Sequence, residues 1–300
     1  MYSTQAIARK EKDGKYEVIT IKRGWTGEDD VDIDIKYCGF SPFADVMLAN
    51  YAYGSIPGLY AVVGHEIAGV VSKVGDNVKD LKVGEKVGVG YYIDSCLECE
   101  YCNSGEENNC KQGITRTSCG YLKYGRVCND NGRFSYGGRS GRITVNRRFV
   151  SRIAASYPLD KAAPVFCAGV TMFTPLKEWG AGGGGLRVGV VGLGGLGQMG
   201  VMMARAMGNS VTVISTSSSK EELARKLGAD QFIISKQSES MSTVVKSLDI
   251  VLDTVGADHD LMALAGLLKK KGVLVVLGIV SKPFQVLYNA FFKNWTINMF

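Results

Sequence analysis

LRVGVVGLGGLGQMGVMMARAMGNSVTVIS, residues 186–215, decides how the chain is folded. It opens with a short β-type run, Val188–Val191, and turns at Gly192-Leu193-Gly194-Gly195-Leu196-Gly197. A helix-compatible segment follows from Gln198 to Met207, then a second β-branched run from Val211 to Ile214. Strand, turn, helix, strand is the core of a βαβ unit. The glycines at 192, 194 and 197 have the spacing G-x-G-x-x-G. The first permits the tight turn, the second admits a pyrophosphate to the backbone, and the third lets helix and strand pack closely. The helix N-terminus then offers N–H groups and partial positive charge to phosphate. In a chain of 38 glycines the competing reading is a loop without a ligand. The strand before it and the helix after it favour dinucleotide binding.

The end of the second strand selects the dinucleotide. An NAD site places Asp or Glu there for the ribose 2′-OH. This chain has Ser215, Thr216, Ser217, Ser218, Ser219 and Lys220, with no carboxylate before Glu221. Hydroxyls and one cation suit a 2′-phosphate, so the expected cofactor is NADP(H). The competing reading is a polar turn entering a helix over Lys220–Leu227, with one serine as its N-cap. Five consecutive hydroxyl residues exceed that need.

Working outward, 300 residues predict two domains. The composition is that of a globular protein, 46% hydrophobic and 21% charged. The densest apolar run, Gly272–Val280, is far shorter than a membrane span, and the N-terminus lacks the apolar core of a signal peptide. A soluble cytoplasmic protein without membrane partners is expected. The first 160 or so residues read as β-rich, with strands near Tyr16–Lys22, Val31–Tyr37, Val62–Val71 and Glu85–Tyr92. Val31–Ile35 alternates apolar and polar, as a half-buried strand does. Beyond the glycine turn, unalternating runs at Gln231–Ser235, Ile250–Asp253 and Gly272–Leu277 predict parallel strands covered on both faces. Trp295–Phe300 reads as a sixth. His259, between Asp258 and Asp260, reads as a surface residue.

Cys96, Cys99, Cys102 and Cys110 are spaced C-x2-C-x2-C-x7-C, within a lobe at about residues 94–112. Four thiolates on one loop close a tetrahedron around Zn²⁺ and leave no open position, which makes the site structural. An iron–sulfur cluster uses similar spacings and stays open as an alternative. Just beyond, Lys111–Arg152 holds ten basic residues and one acid, Asp130, for a local charge of +9 in a chain of +6. Interleaved Tyr121, Tyr124, Phe134 and Tyr136 raise the question of nucleic acid. No nucleic-acid motif accompanies them. A solvated face, or a positive field drawing in anionic cofactor and substrate, is the preferred reading.

Gly64-His65-Glu66, the four-cysteine lobe, Cys167 in VFCAGVT and the GLGGLG turn occur in that order. In these motifs the chain resembles the zinc-containing medium-chain dehydrogenase/reductases. GLGGLGQMGV, VTVISTS and KLGAD make it most similar to the NADP-dependent cinnamyl-alcohol-dehydrogenase-like branch. The resemblance implies an α/β protein with a GroES-like catalytic domain, residues 1–162, followed by a Rossmann domain, 163–300. It also implies alcohol–aldehyde interconversion of a small molecule by hydride transfer, often as a homodimer. Thr171, Thr254 and the backbone near Ile279 would line the nicotinamide. A catalytic zinc would be held by His65 and Cys167, with Glu66 nearby. The return of the chain to the catalytic domain after the sixth strand, which the family has, is not found after Phe300.

One segment departs from the family pattern C-G-x-C-H-x-D. Here the residues are Cys38-Gly39-Phe40-Ser41-Pro42-Phe43-Ala44-Asp45. Ser41 stands where the thiolate ligand is expected, Pro42 and Phe43 replace a histidine and a relay hydroxyl, and the aspartate is one residue late. A neutral hydroxyl is a poor zinc ligand beside a thiolate. Ser41, Glu66 and a displaced Cys38 are the candidates for the third ligand, and anionic Glu66 is the best of them. The catalytic zinc is therefore expected to be weak or absent. Two further readings follow: a zinc-free NADPH reductase of an activated C=C or C=N bond, and a catalytically degenerate protein that binds NADP or RNA.

Overall fold

The computed structural model describes residues 1–11, 14–24, 26–41, 45–47, 50, 60–127, 129–280, 283 and 295–299. Pro42 and Phe43 lie outside them. The chain divides into two compact units, Met1–Cys167 and Ala168–Phe300.

In the first unit, β1 (Tyr2–Arg9) and β2 (Tyr16–Arg23) form an antiparallel hairpin. Next come β3 (Asp30–Cys38), β4 (Ile67–Val74), β5 (Lys86–Val89), β6 (Tyr92–Asp94), one helical turn α1 (Glu100–Asn103), β7 (Thr115–Arg116), β8 (Arg142–Asn146) and β9 (Ser151–Arg152). An antiparallel sheet in the order β8-β3-β4-β5-β9 carries the core, in which Val31, Ile33, Ile67, Val71, Val87, Val89, Ile143 and Val145 are buried together. The alternation expected of a half-buried β3 does not hold, because Val31, Asp32 and Ile33 are all buried. Asp32 is accommodated by the Thr144 hydroxyl, which donates to its carboxylate at 2.5 Å. A buried acceptor with a partner replaces the solvated side chain that period-2 spacing implied.

The strand expected to begin at Val62 begins at Ile67 instead. Residues 62–66 are irregular yet buried. Their carbonyls are satisfied by a neighbouring stretch: Gly137 N–H donates to Val62 O, Arg139 N–H to Val63 O and Gly138 N–H to Gly64 O. A buried loop persists only when its backbone groups find such partners.

The second unit opens with α2 (Ala168–Glu178) and continues β10 (Arg187–Val191), α3 (Gly195–Ala206), β11 (Ser210–Ser215), α4 (Glu221–Lys226) and β12 (Gln231–Ile234). It ends with α5 (Ser238–Ser242), β13 (Leu248–Asp253), α6 (Leu261–Ala265), β14 (Leu268–Val276) and β15 (Thr296–Met299). All six strands are parallel, in the order β12-β11-β10-β13-β14-β15. That is the doubly wound dinucleotide-binding topology. The unalternating runs have the expected cause. Val188, Val190, Ile250, Leu252, Val273 and Val275 feed one core, while Val191, Leu248, Val251, Leu274 and Val276 feed another on the opposite face. Successive side chains point to opposite faces, so both must be apolar.

Candidate active site and metal centres

The glycine turn joins β10 to α3. Gly192 has φ of +83°, a left-handed conformation that suits glycine. A Cβ on Gly197 would stand 2.1 Å from the Gly192 carbonyl oxygen, so only glycine lets the first turn of α3 lie against the strand. The helix starts at Gly195 rather than at Gln198, because glycines that the propensity scale disfavours are held helical by this packing. Gly194 is its N-cap and supplies no side-chain cap. The first-turn N–H groups therefore remain to meet an anion. Thr254, at the end of β13, donates its hydroxyl to Val191 O at 2.7 Å and closes the other side of the turn.

Beyond β11, Ser215 is half-buried and Thr216 to Lys220 are exposed. A 3-10 turn, Ser218–Lys220, precedes α4, so the helix expected from Lys220 starts one residue later. The Lys220 ammonium donates to Leu193 O at 3.3 Å, which places a cation beside the glycine turn. Ser217 and Ser219 hydroxyls are 2.9 Å apart. Hydroxyls, a cation, helical N–H groups and no carboxylate fit a 2′-phosphorylated dinucleotide. Leu196 and Thr171 are half-buried on α3 and α2, and Ile279 is exposed.

In the first unit the four cysteines converge. The sulfurs of Cys96, Cys99, Cys102 and Cys110 all lie within 4.8 Å of one another, and all four are free thiols. Backbone N–H groups already point at sulfur, Cys99 N to Cys96 Sγ at 3.3 Å and Cys96 N to Cys110 Sγ at 3.4 Å. Such donors stabilise thiolates. The backbone N–H groups of Cys102 and Lys111 hold the Cys99 thiol down at about 6 and that of Cys96 lowers Cys110, whereas burial lifts Cys102 to about 11. Four sulfurs closed on one point fit a tetrahedral metal with no open position. The lobe is tied down by two arginines. Arg148 donates to Glu107 and to the Cys102 carbonyl, and Arg126 donates to Asp94 and to the Ser95 carbonyl.

A second group forms where the irregular stretch meets the end of the unit. His65, Glu66 and Cys167 bring their ligand atoms within 4.8 Å of one another. His65 Nε2 lies 3.3 Å from Cys167 Sγ, and the imidazole packs edge-on against Tyr91. Burial, with Glu66 alongside, pushes the Cys167 thiol up to about 12, and burial likewise lifts Glu66. A carboxylate and a thiol held in a buried site with an imidazole form a donor set suited to a divalent cation. Gly39 makes room for it, since a Cβ there would meet Glu66 Oε2 at 1.9 Å. Cys38 is directed elsewhere, its sulfur against Gly64 and Gly138, and it is absent from the group. Ser41 enters through its backbone, its N–H donating to Asp45 Oδ2 at 3.3 Å.

Residues 195–300 match the zinc-binding dehydrogenase family, and residues 27–154 match the alcohol dehydrogenase GroES-like domain. The chain belongs to the zinc-containing medium-chain dehydrogenase/reductases, in the cinnamyl-alcohol-dehydrogenase-like branch. It is 44% identical over 284 residues to a probable cinnamyl alcohol dehydrogenase 6 of Oryza sativa subsp. japonica, covering 93% of this chain and 76% of that protein. It is 41% identical to a probable mannitol dehydrogenase of Mesembryanthemum crystallinum, over 93% of this chain and 75% of that one. Among solved structures, a cinnamyl alcohol dehydrogenase of Sorghum bicolor superposes with a TM-score of 0.91 at 36% identity, covering 99% of this chain and 83% of that one. One from Helicobacter pylori, complexed with NADP(H), gives 0.87 at 29% identity, over 99% and 83%.

The partners of three residues of this dehydrogenase are not visible in the sequence. Asp45 is fully buried and faces His65 Nδ1 at 3.3 Å, while Arg139 donates to its other oxygen at 2.7 Å. His259 is a correction. It is not a surface residue but folds onto the buried Asp253, with Nε2 at 2.8 Å from the carboxylate and only 18% of its side chain exposed. The run of basic residues is not a bare cationic face either. Lys111, Arg126, Arg139, Arg142, Arg147, Arg148 and Arg152 pair with Glu100, Asp94, Asp45, Asp34, Asp80, Glu107 and Glu85. Two of the interleaved aromatics, Phe134 and Tyr136, are buried.

Proposed function

We propose that the chain is an NADP(H)-dependent oxidoreductase that interconverts an alcohol and an aldehyde by hydride transfer. The observation that carries this is the convergence of His65, Glu66 and Cys167 in a chain whose other unit has a 2′-phosphate-compatible glycine turn. It is supported by relatives named cinnamyl alcohol and mannitol dehydrogenases and by a neighbour complexed with NADP(H). When bound, NADPH would supply the hydride, and a zinc held by His65, Glu66 and Cys167 would supply Lewis-acid polarisation of a carbonyl oxygen.

The chain's own residues divide the remaining work. Gly192, Gly194, Gly195, Leu196 and Gly197 present backbone to the pyrophosphate. Ser215, Thr216, Ser217 and Lys220 take the 2′-phosphate. Thr254, with Thr171 and the Ile279 backbone, borders the nicotinamide. His65 and Cys167 would hold the metal, weakly, with Glu66 as third ligand in place of the thiolate that Ser41 does not provide. Asp45 stands 3.3 Å from the far nitrogen of His65, placed to orient it. Cys96, Cys99, Cys102 and Cys110 hold a structural zinc. The GroES-like domain ends near residue 162, within the first compact unit that runs to Cys167; the site of action is cytoplasmic and the substrate is a small molecule. Among the described residues no helix is long and apolar enough to cross a membrane.

Ser41 favours a second reading, reduction of an activated C=C or C=N bond without the second zinc, since such substrates need less electrophilic help. Zinc stoichiometry measured beside NADPH oxidation over an aldehyde and enone panel separates the two. Two zinc ions with aldehyde turnover support the dehydrogenase, and one with enone turnover overturns it. The triple substitution Ser41→Cys, Pro42→His and Phe43→Thr is expected to raise zinc occupancy and aldehyde reduction together. RNA binding has lost its main support, because seven of the ten cations that suggested it are paired.

A further inference from the structure

The environment of Asp45 is organised from a distance. Its carboxylate is fully buried, and its two oxygens face groups of different kinds. Oδ2 accepts from the Arg139 guanidinium at 2.7 Å and from Ser41 N–H at 3.3 Å. Oδ1 faces His65 Nδ1 at 3.3 Å, and neither of these two buried atoms makes a well-formed hydrogen bond, to the other or to any described group, so each is placed to be satisfied by a small adjustment toward the other. Arg139 is itself immobilised. Its N–H donates to Val63 O, its guanidinium lies over the Phe40 ring at 4.4 Å, and its stem packs by Gly64. One side chain thus touches the residue before His65, the loop that carries Ser41 and the carboxylate behind the imidazole.

We propose that Arg139 is a positioning residue for His65. By fixing Asp45 from behind, it holds the imidazole in the tautomer with Nδ1 protonated and Nε2 turned toward Cys167 and Glu66. A buried carboxylate without a cation would be costly, and one free to rotate would not select a ring nitrogen. Arg139 answers both needs, because its fork presents the carboxylate in one orientation. The orienting of a ligating histidine by an outer carboxylate sets metal affinity, and loss of such a partner costs about 10–100-fold. In this chain the orienting carboxylate comes one residue late in an altered loop, and its register depends on the arginine. The inference rests on the reading of His65 as a metal ligand.

The test uses the full chain with ¹⁵N-labelled histidine. There are only two histidines, so His259→Asn assigns the spectrum. In metal-free protein, His65 is expected to show the Nδ1-protonated tautomer. Arg139→Met and Asp45→Asn should shift it toward the ordinary mixture, and Arg139→Lys should retain most of it. In chelator competition, Arg139→Met should weaken the second zinc at least tenfold, with Arg139→Lys within about threefold of the unmodified chain. The four-cysteine zinc and NADPH affinity should not change in either, which shows that both units remain folded. Unchanged tautomer and zinc affinity in Arg139→Met would overturn the proposal. So would Lys failing as badly as Met with the tautomer intact, which is the result of a merely structural clamp. If the unmodified chain takes only one zinc, the metal reading fails, and the tautomer measurement still decides the role of Arg139.

Discussion

His259→Asn is expected to destabilise the second unit by an amount set by the Asp253 carboxylate. Asp253 is fully buried and ends β13. Its carboxylate accepts from Val255 N–H at 3.1 Å and is met by His259 Nε2 at 2.8 Å, while His259 Nδ1 donates to Ala257 O at 2.7 Å. With Nδ1 committed to a carbonyl, a single proton is shared between Nε2 and the carboxyl. Neighbouring Asp260 is occupied elsewhere, capping α6 through Met262 and Ala263 N–H. A hydrogen bond to a charged group contributes roughly 1.5–3 kcal/mol, and breaking a buried pair costs about 3–5 kcal/mol. His259 is 18% exposed, so water enters when the ring is cut back, and about 2 kcal/mol is the better figure. At about 2–4 °C per kcal/mol, thermal unfolding should fall by roughly 5 °C.

The pH dependence gives the sign. Burial raises the Asp253 carboxyl, opposed by Val255 N–H and by His259. A carboxyl raised on folding contributes stability that is fully present below its unfolded value and lost as pH rises through the folded one. Removing His259 raises it further. The deficit should therefore be largest at neutral pH and close as pH falls toward about 4. Urea unfolding at both pH values measures this, with Asp253→Asn and the double variant completing a cycle. A neutral-pH deficit within about 0.5 kcal/mol, the size expected of a surface substitution, would refute the reasoning.

Two further outcomes are expected. Lys220→Ala should weaken NADPH by about tenfold, roughly 1.4 kcal/mol, and leave NADH nearly unchanged, as read by titration of nucleotide fluorescence; equal losses for both nucleotides would remove the 2′-phosphate assignment. Cys102→Ser should lower zinc content and melting temperature together, because the metal is bound only by the folded lobe; a folded, metal-free protein with freely alkylated cysteines would show that the lobe needs no ion.

The second unit was legible because its signals are local. An apolar run, a glycine turn and a helix lie within thirty or so residues, and the parallel strands announce themselves by being apolar on both faces. The cysteine lobe is local too. The candidate metal group was legible in part, since His65 and Glu66 are adjacent and Cys167 has a recognisable setting. What was hidden depends on long-range partners. Asp45 looks misplaced until Arg139, 94 residues away, is seen to hold it. Asp32 reads as solvent-facing until Thr144 arrives from another strand. His259 looks exposed because its partner ends a strand six positions earlier. Residues 62–66 resemble a strand because they are buried, yet their hydrogen bonds go to a neighbouring loop. Pattern reading registers burial and period, and a polar group that finds its partner through folding satisfies neither.

The paired basic stretch has a consequence for the chain before it folds. Each cation between Lys111 and Arg152 that finds an acid does so on folding, and most of those acids lie tens of residues upstream, at Asp34, Asp45, Asp80 and Glu85 among others. As an extended polymer the segment is a polycation, and in the folded unit seven of its ten cations are paired with acids from upstream. Affinity for a polyanion would thus report how much of the population is unfolded, and retention on such a matrix would separate nascent or damaged molecules from native ones.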